Sequence, residues 1–196
     1  MSSVLEQSRS DYFARFFRSW VRDPFTIGAV APSGRLLARL MAQNVTAGAR
    51  VIELGAGTGT VTRAILERGV RPENLVVVEQ NADFARILTQ RFPHCRVLQA
   101  DALSLASYRD ELAGGGFDFV ISGLPLLLFS RREKLRVLSQ AFEMLGPDGC
   151  FHQFTYGGRC PVGRELRARL RLRSSLIGFT PLNLPPAFVY RFARVF

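Results

Sequence analysis

Histidine is scarce in this chain: its 196 residues include only two, His94 and His152, beside three cysteines. Cys95, Cys150 and Cys160 lack the paired spacing that zinc sites use. These shortages argue against a histidine-based metal centre and against a Ser-His-Asp catalytic site. An odd number of cysteines without a pattern is typical of a reducing compartment, which favours the cytosol.

Long apolar runs are also absent. The longest notable one is GLPLLLF at residues 123–129, well short of the roughly 20 residues that span a bilayer as a helix. Arginines interrupt the apolar residues near the N-terminus, so we expect no signal peptide there.

Lysine is almost missing, since Lys134 is the only one among 26 basic residues. With 16 acidic residues, the net charge is +10 and comes almost entirely from arginine. Such a balance indicates a polyanionic partner, either nucleic acid or an anionic membrane surface, although a compositional drift toward arginine explains the charge as well. The length and the 47% hydrophobic content predict one folded domain with its own core.

Buried-strand patterns alternate with helical patterns from residue 50 onward. This order predicts βαβ units and a mainly parallel sheet. Near the C-terminus, two strand patterns joined by a Pro-rich turn predict an antiparallel hairpin. Helix-end signals are Ser33, Asn81 and the capping box Ser130–Glu133 at N-termini, and Gly69 at a C-terminus.

The stretch ELGAGTG, residues 53–59, places three glycines directly after the first predicted strand. Gly55, Gly57 and Gly59 open a helix, so backbone N–H groups and a helix N-terminus face a ligand there. Thr60 stands where a dinucleotide-binding motif needs its third glycine. The glycine-rich turn is therefore suited to bind a nucleoside, but its spacing differs from that of the dinucleotide-binding motif.

Acidic residues follow the next two predicted strands. Glu79 ends the second strand, at the position suited to hold two ribose hydroxyls. Asp101 follows the third strand, within reach of an adenine edge. Since the carboxyl ends of parallel strands form the ligand site of open α/β sheets, these residues predict a nucleoside cofactor site.

Together these stretches closely resemble motifs I to III of the class I S-adenosylmethionine-dependent methyltransferases, over about residues 26–196. The resemblance implies a Rossmann-like α/β fold with a seven-stranded, mostly parallel sheet and an antiparallel last strand. It implies S-adenosylmethionine as cofactor, S-adenosylhomocysteine as product, and no metal. The implied cofactor contacts are Glu53, Gly55, Ala56, Gly57 and Gly59 around the methionine part, Glu79 at the ribose and Asp101 and Ala102 at the adenine, with Gln80 and Ser122 as further contacts.

The residues after the fourth predicted strand narrow the class of molecule that accepts the methyl group. Methyltransferases of amines carry an Asn/Asp-Pro-Pro-aromatic motif there, or Asn-Leu-Pro-Tyr in the rRNA adenine dimethyltransferases, whereas this chain has Gly123, Leu124, Pro125 and Leu126. An amide and a ring suit a planar nucleobase. Their replacement by Gly and Leu favours an apolar entrance over a site for a flipped base, although ordinary packing under the sheet also explains the leucines.

Four stretches resemble the bacterial phospholipid N-methyltransferases: GAVAPSGRLLARLMA, VISGLPLLLF, QFTYGG and NLPPA. This resemblance implies methyl transfer to phosphatidylethanolamine and its methylated intermediates, toward phosphatidylcholine. It implies an enzyme at the cytoplasmic face of the membrane. The expected substrate contacts are Tyr12, Gly123, Leu124, Pro125 and Tyr156.

Tyr156 is the predicted catalytic residue, because it ends the fifth strand and its hydroxyl is suited to orient an amine. A tyrosine that merely packs over the sheet edge is the alternative. Positioning of the amine in line with the methyl donor is expected to supply most of the rate. His152 is interpreted as a strand residue with a satisfied hydrogen bond rather than as a base.

The segment SDYFARFFRSWVRDPF, residues 10–25, predicts an amphipathic helix with one aromatic face and one arginine-rich face. We divide the chain into this membrane-interfacial helix, residues 1–24, and a methyltransferase domain, residues 25–196. A helix that packs on its own domain, or that acts as lid and anchor in turn, remains open. The predicted membrane contacts are Phe13, Arg15, Phe16, Phe17, Arg18, Trp20 and Arg22.

Two other functions compete with lipid methylation. An RNA adenine N6-methyltransferase explains the charge and the Leu-Pro pair, but not the missing amide and aromatic. A membrane-associated protein that binds S-adenosylmethionine without catalysis is the second alternative. The sequence favours an anionic membrane over nucleic acid as partner and leaves the oligomeric state open.

Overall fold

A computed structural model describes residues 32–112, 116–156, 158–183 and 186–195. The predicted N-terminal helix of residues 1–24 lies outside the described residues, and the domain boundary at residue 24 stays a prediction. Outside them also lie Tyr12 and the predicted membrane contacts Phe13, Arg15, Phe16, Phe17, Arg18, Trp20 and Arg22.

The described residues build a seven-stranded sheet in the order β3-β2-β1-β4-β5-β7-β6. All neighbouring pairs from β3 to β5 are parallel, and β7 runs antiparallel to both β5 and β6. This confirms the predicted fold class and the C-terminal hairpin. The strands are β1 (Val51–Leu54), β2 (Leu75–Glu79), β3 (Arg96–Gln99), β4 (Phe117–Ser122), β5 (Leu145–Tyr156), β6 (Leu172–Thr180) and β7 (Ala187–Arg194).

Helices cover both faces of the sheet and enclose two apolar cores. Strands β1 and β2 are buried throughout, which is why apolar residues dominate them in the sequence. Within the described ranges, no helix combines the length and the apolar content needed to cross a membrane. The helices are α1 (Pro32–Met41), α2 (Thr60–Glu67), α3 (Ala82–Arg91), α4 (Arg131–Met144) and α5 (Arg164–Arg169), with 3-10 turns at Pro72–Asn74, Ala102–Tyr108 and Leu126–Leu128.

Three of the four predicted helix ends are confirmed. The Asn81 side chain accepts hydrogen bonds from two backbone N–H groups of α3. Ser130 and Glu133 form both halves of the capping box of α4. Gly69 follows the end of α2 with φ of 86°, in the left-handed conformation that terminates many helices.

Two boundaries differ from the sequence prediction. Helix α1 begins at Pro32, so Ser33 lies inside the helix and is not its N-cap; proline suits a first helical position because its missing N–H has no partner there anyway. The run CFHQFTYGG predicts a strand that begins at Cys150, but strand β5 begins at Leu145, because Leu145 already pairs with Phe117. A register shift between Phe117 and Phe119 accommodates the extra residues of β5.

Hydrogen bonds continue past the strand ends and hold the following loops side by side. Gly55 N donates to the Val78 carbonyl at 2.8 Å, and Gly123 N donates to the Leu54 carbonyl at 2.8 Å. Beyond the sheet, Ala100 N donates to the carbonyl of Glu79 at 3.1 Å. The loops after β1, β2, β3 and β4 therefore meet at one edge of the sheet, where ligands bind in open α/β folds.

Candidate active site

The glycine turn after β1 requires glycine at three positions. Gly55, Gly57 and Gly59 have φ of 70°, 55° and 82°, a conformation that L-residues rarely adopt. A Cβ on Gly59 would lie 2.5 Å from the Phe92 ring, whereas a Cβ on Gly57 would meet nothing within 4 Å. The turn is thus packed against α3 at one end and open at Gly57, where a ligand can approach the backbone.

Glu79 sits at the end of β2 and joins the glycine turn to α3. Its Oε2 accepts from Gly57 N at 2.8 Å, and its Oε1 accepts from Asn81 N at 2.8 Å. Each carboxylate oxygen has a second acceptor position, so the group can still receive the two hydroxyls of a ribose. The side chain is buried, while the neighbouring Gln80 is exposed.

Asp101 begins the 3-10 turn Ala102–Tyr108 and caps it, with its Oδ1 accepting from Leu103 N at 2.8 Å. Gln140 of α4 supports this turn from behind: its Oε1 accepts from Ala106 N at 2.7 Å, and its Nε2 donates to the Leu103 carbonyl at 2.9 Å. Ala102 is buried, and Asp101 keeps partial exposure. The turn at the predicted adenine position is therefore held in place by Gln140, a residue that the sequence analysis does not identify.

Glu53 is fully buried beneath the glycine turn. Its Oε2 accepts from the Thr62 hydroxyl of α2 at 2.6 Å. Burial raises the pKa of this carboxyl to about 8, against the opposing effect of the Thr62 hydrogen bonds. Glu53 is therefore mostly uncharged at neutral pH, and its visible role is to tie α2 to β1.

His152 is buried in the middle of β5. Its Nδ1 lies 2.8 Å from the Met41 carbonyl, and since a carbonyl only accepts, Nδ1 carries the proton. Its Nε2 lies 3.5 Å from Cys150 Sγ. Burial lowers the pKa of His152 to about 4. The interpretation of His152 as a strand residue with a satisfied hydrogen bond is confirmed.

These two buried groups predict the pH dependence of stability. The unfolded chain releases the Glu53 proton near pH 4.5 and the folded chain near pH 8, so stability falls with rising pH between those values. His152 acts oppositely between about pH 4 and 6.5, where the unfolded chain binds the extra proton. Of these two groups, Glu53 is the one that contributes between pH 6.5 and 8, and at about 1.4 kcal/mol per pH unit it lowers the free energy of unfolding by about 2 kcal/mol.

Urea unfolding of the cofactor-free protein at pH 6.5, 7.2 and 8 measures this slope. Glu53→Gln is expected to remove it, because glutamine does not titrate. The matched control is Glu67→Gln, at an exposed carboxylate on α2, which is expected to keep the wild-type slope. A Glu53→Gln protein with the wild-type slope contradicts the assignment of a buried, uncharged Glu53.

The loop after β4 lies directly against the glycine turn. A Cβ on Gly123 would come within 2.6 Å of the Gly55 carbonyl oxygen, and a Cβ on Gly55 within 2.9 Å of Leu124 Cδ2. Ser122 is wholly buried, and its Oγ accepts from Leu124 N at 3.3 Å. Ser122 thus supports the loop, and the predicted substrate residues Gly123 and Leu124 adjoin the predicted cofactor turn.

An apolar pocket opens at the carboxyl ends of β4 and β5, with a volume of about 340 Å³ that includes space open to solvent. Six of its lining residues are hydrophobic, and they include the predicted substrate residues Leu124 and Pro125. The full lining is Leu124, Pro125, Leu126, Leu127, Leu128, Phe154 and Thr155.

Tyr156, the predicted catalytic residue, does not line this pocket. Its ring packs edge-on against Phe154, with the centroids 5.4 Å apart. Burial raises the pKa of its hydroxyl, and a hydrogen bond from Asn183 lowers it. Tyr156 stays a predicted catalytic residue, but the structure ties its hydroxyl to the turn between β6 and β7.

The arrangement fits S-adenosylmethionine. Glu79 offers acceptors for a ribose, Asp101 flanks the turn at the adenine position, and Gly57 leaves the backbone open between them. When bound, this cofactor supplies an electrophilic methyl group on a sulfonium. Within the described ranges, no three His, Cys, Asp or Glu side chains lie close enough to share a metal ion.

Comparisons with known proteins agree with this geometry. A family described as methyltransferase domain matches residues 51–149. Ornithine lipid N-methyltransferase of Singulisphaera acidiphila is 34% identical over 189 residues, which cover 92% of this chain and 94% of that protein. Ribosomal RNA small subunit methyltransferase A of Chlorobium luteolum is 34% identical over 101 residues, which cover 49% of this chain and 35% of that protein.

Among solved structures, the glycopeptide N-methyltransferase MtfA in complex with S-adenosylmethionine superposes with a TM-score of 0.64. The two chains are 16% identical, and the match covers 88% of this chain and 98% of that one. At this identity the likeness shows the shared fold. With the family match and the nearly full-length relative, it establishes that the chain belongs to the class I S-adenosylmethionine-dependent methyltransferases.

Proposed function

We propose that the protein transfers methyl groups from S-adenosylmethionine to the headgroup amine of a membrane lipid. The observation that carries this proposal is the similarity to ornithine lipid N-methyltransferase, which extends over nearly the whole of both chains. The similarity to the ribosomal RNA methyltransferase covers 49% of this chain. RNA adenine methylation therefore has weaker support.

The surface around the pocket is suited to lipid. Leu127 and Leu128, at the pocket, are 42% and 39% exposed. Phe179, near the end of β6, is 58% exposed, and Leu182, in the turn between β6 and β7, is 70% exposed. Since β7 places this turn beside the carboxyl end of β5, the apolar residues cluster at the site's edge of the sheet, as expected for a surface that meets lipid.

Charge supports a membrane partner as well. The net charge of +10 attracts the chain to anionic headgroups. The aromatic and arginine residues that we predict to contact the membrane, within residues 1–24, add to this attraction. We place the reaction at the cytoplasmic face of the membrane, because the three cysteines are unpaired, as in reducing compartments.

Two headgroups satisfy the same chemistry. Phosphatidylethanolamine is the candidate from the sequence motifs, and ornithine lipid is the candidate from the relative; both present a primary aliphatic amine. Its pKa is about 10.4, like that of lysine, so a neutral amine at pH 7 requires a shift of about 3.4 units. The apolar pocket favours the neutral form by desolvation, while Leu124 and its neighbours exclude water from the reacting amine.

Vesicle assays with labelled S-adenosylmethionine test the proposal. We expect label in phosphatidylethanolamine or ornithine lipid vesicles, and a higher rate when anionic lipid is added, since the protein is basic. Resolving the products by methylation state shows how many methyl groups are added. The two headgroups are assayed separately, so the outcome also identifies the lipid.

Phosphatidylcholine vesicles are the matched control, because their headgroup nitrogen has no free lone pair. Ribosomal RNA is assayed in parallel with the same protein. Label in RNA and in neither amine lipid contradicts the proposed function and favours the RNA alternative. No label in any substrate, despite binding of S-adenosylmethionine, favours the non-enzymatic alternative.

A further inference from the structure

Gln153 of β5 carries an amide that is buried and only half satisfied. The side chain is wholly inaccessible. Its Nε2 donates to the Leu124 carbonyl at 2.8 Å and to the Phe154 carbonyl at 2.9 Å. In the part of the chain that the structure describes, its Oε1 has no hydrogen-bond partner. A buried acceptor without a donor is unfavourable, so Oε1 can take a donor from a ligand, which the described residues do not supply.

The orientation of this amide is fixed by its partners. Exchanging Oε1 and Nε2 would place an oxygen against two carbonyl oxygens, which have no proton to donate. Gln140, a second buried glutamine, differs in this respect, since it donates to Leu103 and accepts from Ala106. The unpaired atom of Gln153 is thus Oε1, an acceptor. A ligand group that bonds to it must be an N–H or O–H donor.

Gln153 is not itself a lining residue of the apolar pocket, but its amide is bonded to two residues that are. Its carbonyl partners Leu124 and Phe154 both line that pocket. In the sheet, Gln153 is paired with Ser122, the last residue of β4. The next position, Gly123, has no side chain to offer an acceptor. Gln153 therefore supplies a side-chain amide where β4 lacks one.

We propose that Gln153 Oε1 accepts an N–H of the substrate amine and fixes its direction. This role rests on the proposed function. The neutral amine attacks the methyl carbon with its lone pair, the C–N bond forms, and the C–S bond breaks with its electrons moving to sulfur. After the first two transfers the product ammonium releases its proton to water, whereas the third transfer leaves a quaternary ammonium that has no N–H proton. Because Oε1 binds an N–H, the lone pair stays free and points in line with the methyl group.

The proposal makes a distinction that a structural role does not. A neutral primary amine has two N–H groups, a secondary amine has one and a tertiary amine has none. The hydrogen bond to Gln153 is therefore available for the first two methyl transfers and absent for the third. Its loss must affect the three substrates unequally.

Gln153→Met tests this distinction, because methionine fills similar space without an acceptor. Vesicles of the unmethylated, monomethylated and dimethylated amine lipid are assayed with wild type and variant. We expect kcat/KM to fall about tenfold or more for the first two lipids and by less than about twofold for the third. The three rates come from one preparation, so a lower folded fraction cancels from their ratio. Gln153→Ala gives the same comparison if the methionine variant does not fold.

Gln140→Met is the matched control. It removes a buried glutamine whose amide is satisfied, so any loss of rate is expected to be equal for the three lipids. Equal losses in the Gln153 variants, with an active wild type, overturn the assigned role and leave the proposed function standing. A wild type that methylates none of the three amines overturns the proposed function and this role together.

Discussion

Glu79→Ala is expected to weaken binding of S-adenosylmethionine at least about 100-fold. The change removes the acceptor for two ribose hydroxyls, and hydrogen bonds to a charged group contribute about 1.5–3 kcal/mol each. It also releases Gly57 N and Asn81 N, which Glu79 now holds, so the glycine turn loses its hydrogen-bonded link to the start of α3. Calorimetric titration measures the increase in the dissociation constant of S-adenosylmethionine and, separately, of S-adenosylhomocysteine.

Glu73→Ala is the matched control for this change. Glu73 lies at the other end of β2, on the turn Pro72–Asn74, where its exposed side chain is 3.6 Å from Arg71. Exposed pairs of this kind contribute little to stability, so the variant is expected to bind the cofactor as the wild type does. A folded Glu79→Ala protein with the wild-type dissociation constant would place the ribose elsewhere in the molecule.

The order of elements and the edge that holds the site were predictable because their signals are local. Strand β2 is a run of apolar residues that ends in Glu79, and a strand buried on both faces has no other pattern. Asn81 and Ser130 mark helix starts within three residues of the N–H groups they accept from. The three closely spaced glycines at 55, 57 and 59 indicate a tight turn, and each has the positive φ that glycine adopts readily.

Partners that are distant in sequence were not predictable. Gln140 and Gln153 bond to backbone carbonyls 37 and 29 residues away. Every residue has a carbonyl, so no residue type marks the partner. A polar residue inside a buried strand is the signal that the sequence did contain at His152-Gln153, but it does not say which of the two has an unmet bond.

The role of the strand end in β5 also needed the structure. The sequence predicts a catalytic role for Tyr156 from its hydroxyl at the strand end, yet Asn183 engages that hydroxyl and the pocket lies at Phe154 and Thr155. Successive residues of a strand face opposite sides, and the sequence does not show which side of β5 meets the loop after β4. The hydrogen bond of Gln153 to Leu124 decides it.

Gly123→Ala is expected to damage both the fold and the reaction, because two backbones touch at this glycine. A Cβ at 123 would lie 2.6 Å from the Gly55 carbonyl oxygen and 3.4 Å from that of Leu54. Neither oxygen can rotate away as a side chain does, and Gly123 N is itself bonded to Leu54. The loop after β4 must therefore move off the glycine turn.

The expected cost of Gly123→Ala is about 2–3 kcal/mol in the free energy of unfolding. A displacement of about 1 Å in the reacting groups is enough for a loss of about 100-fold in kcat/KM, measured with the lipid that the vesicle assay identifies. Gly48→Ala makes the same chemical change where a Cβ meets nothing within 4 Å, and is expected to keep both values. Wild-type stability and rate in Gly123→Ala would mean that the substrate loop and the cofactor turn do not touch in the working enzyme.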